Sequence, residues 1–260
     1  MASPNENPWY RRRTYLHFDL PVGQEEARLI AADPKRVASH SFYPLISYDL
    51  TTNKLAKSKG PKAFEKKEKI RQIAYAAHID SHIYSYYASD LAKRYEDFLT
   101  KHGLTESVLA FRPLGLSNID FARAAFADIA ARRRCVAVAM DVSKFFDNLN
   151  HKMLKAAWAE LLGSSDLPAD HYAVFKSITK FSRVQRDALF EEFGISSHNP
   201  KSARRRICSP SEFRTRVRDM DLVIRNANAF GIPQGSPISA VLSNIYMMDF
   251  DIEITKIVIQ

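Results

Sequence analysis

The chain has 260 residues, is 46% hydrophobic and carries a formal net charge of +9. This size allows one large hydrophobic core or two lobes. No segment is long and apolar enough to cross a membrane, and the N-terminus has no signal core. Cys135 and Cys208 are far apart in sequence and form no metal-like pair, as is typical of a reducing cytoplasm. The sequence therefore predicts a cytoplasmic protein without a membrane partner.

Its basic charge favours a polyanionic partner, although many equally basic proteins bind no nucleic acid.

Residues 1–60 show little periodicity and are predicted to form an N-terminal extension. The three arginines Arg11–Arg13 lie among four aromatic residues: Trp9, Tyr10, Tyr15 and Phe18. This mixture suits phosphate contact and base stacking. The alternative, which we favour, is an arm whose aromatic side chains pack on the main body.

Lysines dominate from Lys54 to Arg71, and a helical pattern is predicted to follow. Apolar residues recur at intervals of three and four, which predicts one buried helix face: Ile70, Ile73, Ala77, Tyr84, Tyr87, Leu91 and Tyr95. His78 and His82 are spaced as metal-binding pairs are, but no third ligand accompanies them. Structural roles are therefore predicted for both histidines.

The run Val108–Pro113 is typical of a short strand that ends at a proline. A helix is predicted next, with Ser117 as its cap. Its inward-facing residues are expected to be Ala122, Ala125, Phe126 and Ile129. Arg132–Arg134 end this helix, where cations complement the helix dipole.

The run Cys135–Met140 is apolar throughout, which predicts a strand covered on both faces. It ends at Asp141, whose carboxylate would emerge at the rim of a sheet, where divalent cations can be held. Asn148 or Asn150 then caps a predicted helix. The apolar positions of that helix are Met153, Leu154, Ala157, Trp158, Leu161 and Leu162.

Residues 163–225 contain two predicted amphipathic helices, one marked by Tyr172, Phe175, Ile178 and Phe181, the other by Leu189, Phe190 and Phe193. A basic run follows, opposed only by Glu212: Lys201, Arg204, Arg205, Arg206, Arg214, Arg216 and Arg218. Such a run is usually a solvated loop. Contact with the phosphates of a nucleic-acid duplex is the alternative.

The stretch Gly231-Ile-Pro-Gln-Gly-Ser-Pro-Ile-Ser-Ala-Val-Leu-Ser-Asn244 predicts a turn followed by a helix. Gly231 and Gly235 permit backbone turns that other residues resist. Ser236 is the predicted cap, with a proline at the first helical position. The predicted buried stripe is Ile238, Val241, Leu242, Ile245 and Met248. No Walker lysine and no Gly-x-Ser-x-Gly elbow are present, which excludes those ATPase and hydrolase readings.

Two of these stretches, in this order, resemble the reverse transcriptases. Asp141-Val-Ser-Lys-Phe-Phe-Asp147 resembles that family's motif A in its bacterial form, and Gly231–Asn244 resembles motif B. The resemblance covers residues 61–260. The family's third motif, a Tyr-x-Asp-Asp hairpin with the other metal-binding carboxylates, does not occur before Gln260.

The resemblance implies an α+β fold with the palm and fingers of a right-hand polymerase, in which an antiparallel palm sheet packs on helices. Residues 61–134 would form the first part of the fingers and 135–162 the palm with motif A. Residues 163–225 would form the second part of the fingers and 226–260 a truncated palm with motif B. The thumb and the rest of the palm would be absent, and are expected beyond Gln260 or in a second polypeptide.

The implied activity is RNA-directed DNA polymerisation, in which dNTPs are transferred to a primer 3′-hydroxyl on an RNA template. Two Mg²⁺ ions, or Mn²⁺ in their place, would lie about 4 Å apart between carboxylates. Asp141 would be their shared ligand and the backbone carbonyl of Val142 a second one. Phe146 would be the steric gate that rejects a ribose 2′-hydroxyl, while Phe145 and Asp147 would be structural.

The resemblance also implies nucleotide contacts. Arg112 would meet the incoming triphosphate and Arg71 would be its companion, because guanidinium donates bidentate hydrogen bonds to phosphate. Gln234 would help seat the incoming nucleotide, with the backbone of Gly235 beneath the nascent pair. The nucleic-acid backbone would be contacted by Arg204, Arg205, Arg206, Arg216 and Arg218.

Three hypotheses stay open: a polymerase completed by a further segment, a non-catalytic nucleic-acid-binding protein on the same scaffold, and a template-independent nucleotidyl transferase. The chain alone is expected to be inactive, because one carboxylate motif cannot fix two ions. The run Trp9–Asp19 resembles the N-termini of defence-associated reverse transcriptases, which implies anti-phage defence. Retron-like and mobile-intron-like contexts, the priming mode and the oligomeric state stay open.

Overall fold

The computed structural model describes residues 8–57, 64–132, 134–202 and 204–259. The helices in chain order are α1 (Gln24–Ala31), α2 (Pro34–Ala38), α3 (His78–His102), α4 (Asn118–Ala131), α5 (Phe145–Asn148), α6 (His151–Leu161), α7 (Ala169–Thr179), α8 (Arg186–Glu192), α9 (Pro210–Glu212), α10 (Ser239–Tyr246) and α11 (Met248–Ile259). A π-helical segment, Phe213–Arg218, continues α9. No helix in these ranges combines the length and apolarity needed to cross a lipid bilayer.

The strands are β1 (Leu45–Lys57), β2 (Phe64–Tyr75), β3 (Ser182–Gln185) and β4 (Ile224–Arg225), and they form one sheet in the order β2-β1-β3-β4. β1 pairs antiparallel with β2 and parallel with β3, and β4 pairs antiparallel with β3. The α+β class is therefore confirmed. The sheet differs from the expected palm sheet, because its strands come from outside the motif A segment. One of its two inner strands, β1, lies within the residues assigned to the N-terminal extension.

Two clusters of buried side chains hold the described chain together. The larger one surrounds α3, α6, α7 and α10, with Trp158 fully buried. Tyr84, Tyr87, Leu91 and Tyr95 lie in it, which confirms the predicted buried face of α3. The smaller cluster joins the N-terminal arm to β1, β3, α8 and the residues around the π-helical segment.

The helical pattern predicted from Ile70 onward is wrong over its first residues. Residues 64–75 form β2, and the helix begins only at His78. Ile70 lies on the open part of the hairpin and is 61% exposed. Pairing with β1 overrides the local pattern, because each residue of β2 faces a partner in β1. The strand predicted at Val108–Pro113 is also absent, since these residues form irregular backbone and turns.

The N-terminal arm packs on the main body, which confirms the favoured alternative. The Tyr15 hydroxyl donates to the carbonyl of Ala76 at 2.8 Å, and the Tyr10 ring stacks on His82 with centroids 4.8 Å apart. Asp19 accepts hydrogen bonds from the backbone N–H groups of His78 (2.9 Å) and Ile79 (3.0 Å). Burial raises the pKa of Asp19, but these bonds and the His78 ring outweigh it and leave the pKa below its usual value. The two histidines thus have structural roles, as predicted.

The segment before motif A is the largest departure from expectation. Cys135–Met140 has no regular secondary structure, and Val136 is 90% exposed. The neighbouring helix α4 begins after its predicted cap, Ser117, which forms a capping box with Asp120, yet the helix has no buried residue. Its expected inward-facing residues Ala122, Ala125, Phe126 and Ile129 are exposed. Apolar sequence predicted burial in both places, but no other described segment covers these side chains.

Candidate functional site

The turn after motif A lies directly against the start of motif B. The backbone N–H groups of Ile232 and Gly231 donate to the carbonyls of Phe146 and Leu149, both at 2.9 Å. His151 N–H donates in turn to Ala229 at 3.0 Å. Two stretches that are distant in sequence are therefore joined by a ladder of backbone hydrogen bonds.

Gly231 permits this close approach. Its φ of +88° is disfavoured for other residues, and a Cβ there would lie 3.0 Å from the carbonyl oxygen of Asp147. The ring of His151 donates from Nε2 to the carbonyl of Gly231 at 2.7 Å. Burial lowers the pKa of His151, which favours the neutral ring. The junction between the two motifs is thus fixed by backbone contacts and one histidine.

The Pro-Gln-Gly turn also contacts the end of β2. The N–H of Ala74 donates to the carbonyl of Gln234 at 2.8 Å. Gly235 has φ +109°, and a Cβ there would lie 2.8 Å from the carbonyl oxygen of Ala74. The turn therefore lies between the motif A junction and the long hairpin, and its glycines are needed at both contacts.

The helix after this turn begins later than predicted. α10 starts at Ser239, and the Ser236 hydroxyl is buried without a hydrogen-bond partner among the described residues, so its predicted capping role is wrong. The Ser239 hydroxyl donates instead to the carbonyl of Pro233 at 2.7 Å. The predicted buried stripe is confirmed at every position: Ile238, Val241, Leu242, Ile245 and Met248.

Asp141 and Val142 lie in the exposed irregular segment that leads into α5. The carboxylate of Asp141 is therefore open to solvent. Within the described ranges, no group of three or more His, Cys, Asp or Glu side chains is placed to hold a metal ion. A hard divalent cation takes about six oxygen ligands. Asp141 and one carbonyl do not by themselves fit a two-ion centre.

Phe145 and Phe146 follow in α5, and both are half-buried against the larger core. Their rings meet edge to face with centroids 5.8 Å apart, and Phe145 also contacts the ring of Tyr246 at 6.1 Å. Asn150 caps the next helix through its side chain, which accepts from the N–H groups of Lys152 and Met153. Leu154 and Trp158 of that helix are buried as predicted, whereas Met153 is exposed.

Arg112 is held by protein acceptors in this structure. Its Nε and one terminal nitrogen donate to the two carboxylate oxygens of Glu96 at 2.9 and 2.7 Å. The other terminal nitrogen donates to the carbonyl of Thr105 at 2.7 Å. The side chain is only 5% exposed. This arrangement favours a structural role, and a triphosphate would have to displace Glu96 to reach the guanidinium.

The other predicted arginines differ in their surroundings. Arg71 lies in β2 and donates to the Thr52 hydroxyl at 3.1 Å. Arg204 donates to the carbonyls of Ile207 and Phe193, and Arg216 donates to Glu192. Both therefore anchor the basic run to the protein. Arg205 and Arg218 are exposed, and Arg206 is half-buried.

A polar cleft of about 540 Å³ adjoins the junction of the two motifs. Lys144, Asp147 and Asn148 line it from motif A, and Arg183 and Arg225 from the short strands β3 and β4. Sequence reasoning missed Lys144, Arg183 and Arg225. Lys144 could have been noted within motif A, but no local signal links the two arginines, which come together only through strand pairing.

No model of a known protein family matches the chain, and a search of curated proteins finds no match either. The residues and geometry of the two motifs are therefore the basis for a functional proposal.

Proposed function

We propose that this chain forms the fingers and part of the palm of an RNA-directed DNA polymerase. The observation that carries the proposal is the backbone ladder between the motif A turn and the motif B loop, in which Ile232 N–H donates to Phe146 and Gly231 N–H donates to Leu149. A nucleotide pocket built from both motifs needs them side by side. The exposed carboxylate of Asp141 satisfies a second requirement, since a buried acid could not reach a substrate.

The described residues have distinct parts in this proposal. Asp141 and the carbonyl of Val142 contribute oxygen ligands, and the remaining carboxylates come from a segment in the same chain or in a second polypeptide. When bound between such groups, two Mg²⁺ ions would activate the primer 3′-hydroxyl and neutralise the leaving pyrophosphate. Phe146 closes the pocket to a 2′-hydroxyl. Gln234 orients the nucleotide. Its backbone carbonyl accepts a hydrogen bond from the Ala74 N–H, which holds the turn in place.

Cationic side chains around the junction support a polyanionic substrate. Lys144, Arg183 and Arg225 line the cleft beside Gly231. Arg71, Arg205 and Arg218 add positive charge elsewhere on the surface, and the whole chain carries +9. Such charge provides affinity for nucleic-acid phosphates with little sequence preference.

Primer extension tests the proposal. The chain, alone and together with the carboxylate-bearing segment that the proposal requires, is given an RNA template, a DNA primer and dNTPs with Mg²⁺. Incorporation that requires both template and dNTPs supports the polymerase. Template-free incorporation supports a terminal transferase instead, and RNA binding without synthesis supports a non-catalytic protein.

The matched control lies in motif A itself. Asp141→Asn should abolish synthesis while RNA binding is retained, and Asp147→Asn should retain measurable synthesis, since Asp147 is expected to be structural. A role in anti-phage defence is the biological part of the proposal. It predicts that plaque counts fall in bacteria that express the active protein and recover with Asp141→Asn.

A further inference from the structure

The two faces of the β1–β2 hairpin carry different charges. The strands pair in continuous register from Ile46↔Tyr75 to Lys57↔Phe64 without a bulge. Because side chains alternate between faces, residues at even positions of β1 share a face with residues at odd positions of β2. That face, called here the basic face, carries Tyr48, Leu50, Thr52 and Lys54 of β1 together with Glu65, Lys67, Lys69, Arg71, Ile73 and Tyr75 of β2.

Four cations therefore follow one another along the basic face: Lys54, Lys67, Lys69 and Arg71. Its one acid, Glu65, pairs with Lys67 at 3.3 Å. Among the residues whose side chains the structure describes, the opposite face carries the acids Asp49 and Glu68 and the cation Lys66. Lys54 and Lys67 are direct cross-strand partners, a like-charge pair in which Glu65 neutralises only Lys67.

An aromatic cleft of about 440 Å³ lies at the base of the same face. Its lining includes Tyr48 and Tyr75 of the hairpin, Tyr15 of the N-terminal arm, and Arg186 and Phe190 of α8. The Arg186 guanidinium lies 4.7 Å from the centroid of the Tyr48 ring and 6.0 Å from that of Phe190. The cleft thus combines flat rings with a cation held against them.

The cleft also adjoins the candidate site. Gly235 of the Pro-Gln-Gly turn is part of its lining, and so is Ile73, whose side chain would be 2.8 Å from a Cβ at Gly235. Lys201 adds a further cation at its edge, where it donates to the Thr14 hydroxyl at 3.1 Å. A strand that follows the basic face would therefore reach the motif B turn through the aromatic cleft.

We propose that the basic face and the aromatic cleft bind one strand of single-stranded nucleic acid, with its phosphates along Lys54, Lys69 and Arg71 and its bases stacked in the cleft. A positively charged track combined with aromatic platforms is the chemistry that single strands require, because every base has a stackable face. The assignment of this strand as the polymerase template rests on the proposed function. The binding itself does not, since it needs neither metal nor dNTP.

Fluorescence anisotropy with a short labelled single-stranded RNA, in EDTA and without dNTPs, tests the electrostatic part. Lys69→Gln and Lys66→Gln remove the same charge from adjacent parts of one strand, but on opposite faces. Lys69→Gln should weaken binding and reduce the slope of log K against log salt by about 0.7, whereas Lys66→Gln should leave both close to wild type. Equal effects from the two variants would overturn the proposal.

Tyr48 tests the stacking part. Tyr48→Leu should weaken binding by roughly fivefold or more, and Tyr48→Phe, which keeps the ring, should retain affinity. Equal affinities of Tyr48→Leu and wild type, with both proteins folded by circular dichroism, would contradict it. If the wild-type protein carries out template-dependent synthesis but its Lys69→Gln and Tyr48→Leu variants bind RNA as tightly as wild type, this inference alone is refuted. Normal face-specific binding without synthesis would refute the polymerase alone.

Discussion

Gly235 lies directly against the backbone of Ala74. A Cβ at Gly235 would be 2.8 Å from the Ala74 carbonyl oxygen, and the Ala74 N–H donates to the adjacent Gln234 carbonyl at 2.8 Å. The contact joins the motif B turn to the end of the long hairpin. It therefore fixes the candidate site relative to the surface proposed to carry a single strand.

Gly235→Ala should destabilise the protein. The added methyl group meets the Ala74 carbonyl and Ile73, and the φ of +109° is strained for alanine. We expect a loss of about 2–3 kcal/mol in the free energy of unfolding, measured by urea denaturation. Gly163→Ala is the control, because Gly163 also has positive φ (+67°) but no atom within 4 Å of the added group. It should cost about 1 kcal/mol, and equal costs would show that the contact with Ala74 is unimportant.

Arg112→Met should lower the free energy of unfolding by about 2 kcal/mol, because it leaves Glu96 and two backbone carbonyls without their donor. Arg94→Met is the matched control. Arg94 pairs with Asp90 at 2.8 Å on the same helix as Glu96, but both members of this pair are well exposed. The loss of unfolding free energy should therefore stay below about 0.5 kcal/mol. An Arg112→Met variant with wild-type stability would restore the triphosphate role as the better explanation of this arginine.

The half-buried Asp251 should make the stability of the protein depend on pH. Burial raises its pKa to about 6, above the ordinary value of 3.8. Its contribution to stability is complete below about pH 4 and is lost as pH rises through 6, because the folded state then holds a half-buried charge. Asp251→Asn should therefore be more stable than wild type at pH 8, by about 1 kcal/mol after allowance for solvent screening, and equal to it at pH 4. Asp249→Asn, an exposed change on the same helix, should show no such difference between the two pH values.

Phe146→Ala should admit ribonucleotides in the completed polymerase. Phe145 is the control, since both rings are half-buried against the same core and both alanine variants should lose comparable stability. Only Phe146→Ala should raise rNTP incorporation relative to dNTP incorporation in primer extension. Unchanged exclusion of rNTPs would show that Phe146 only packs.

The sequence predicted those features that depend on local signals. Ser117 and Asn150 cap their helices as expected, because a capping side chain bonds to backbone within three residues. The stripe from Ile238 to Met248 is buried because it follows a helical period.

Features that depend on distant partners were missed. The expected strand Cys135–Met140 forms no strand, and residues 64–75 are a strand because β1 pairs with them. Arg112 matched a motif position, yet Glu96 occupies its guanidinium. The bond between Asp19 and His78 joins residues 59 apart, and nothing in either local sequence indicates it.

Primer extension by the protein together with the carboxylate-bearing segment that the proposal requires tests the central claim most directly, with Asp141→Asn and Asp147→Asn compared in parallel. We predict synthesis that depends on template and Mg²⁺ in wild type, its loss in Asp141→Asn with RNA affinity unchanged, and measurable synthesis in Asp147→Asn. Undiminished synthesis by Asp141→Asn would contradict the account, because the exposed acid of motif A would then have no part in the chemistry.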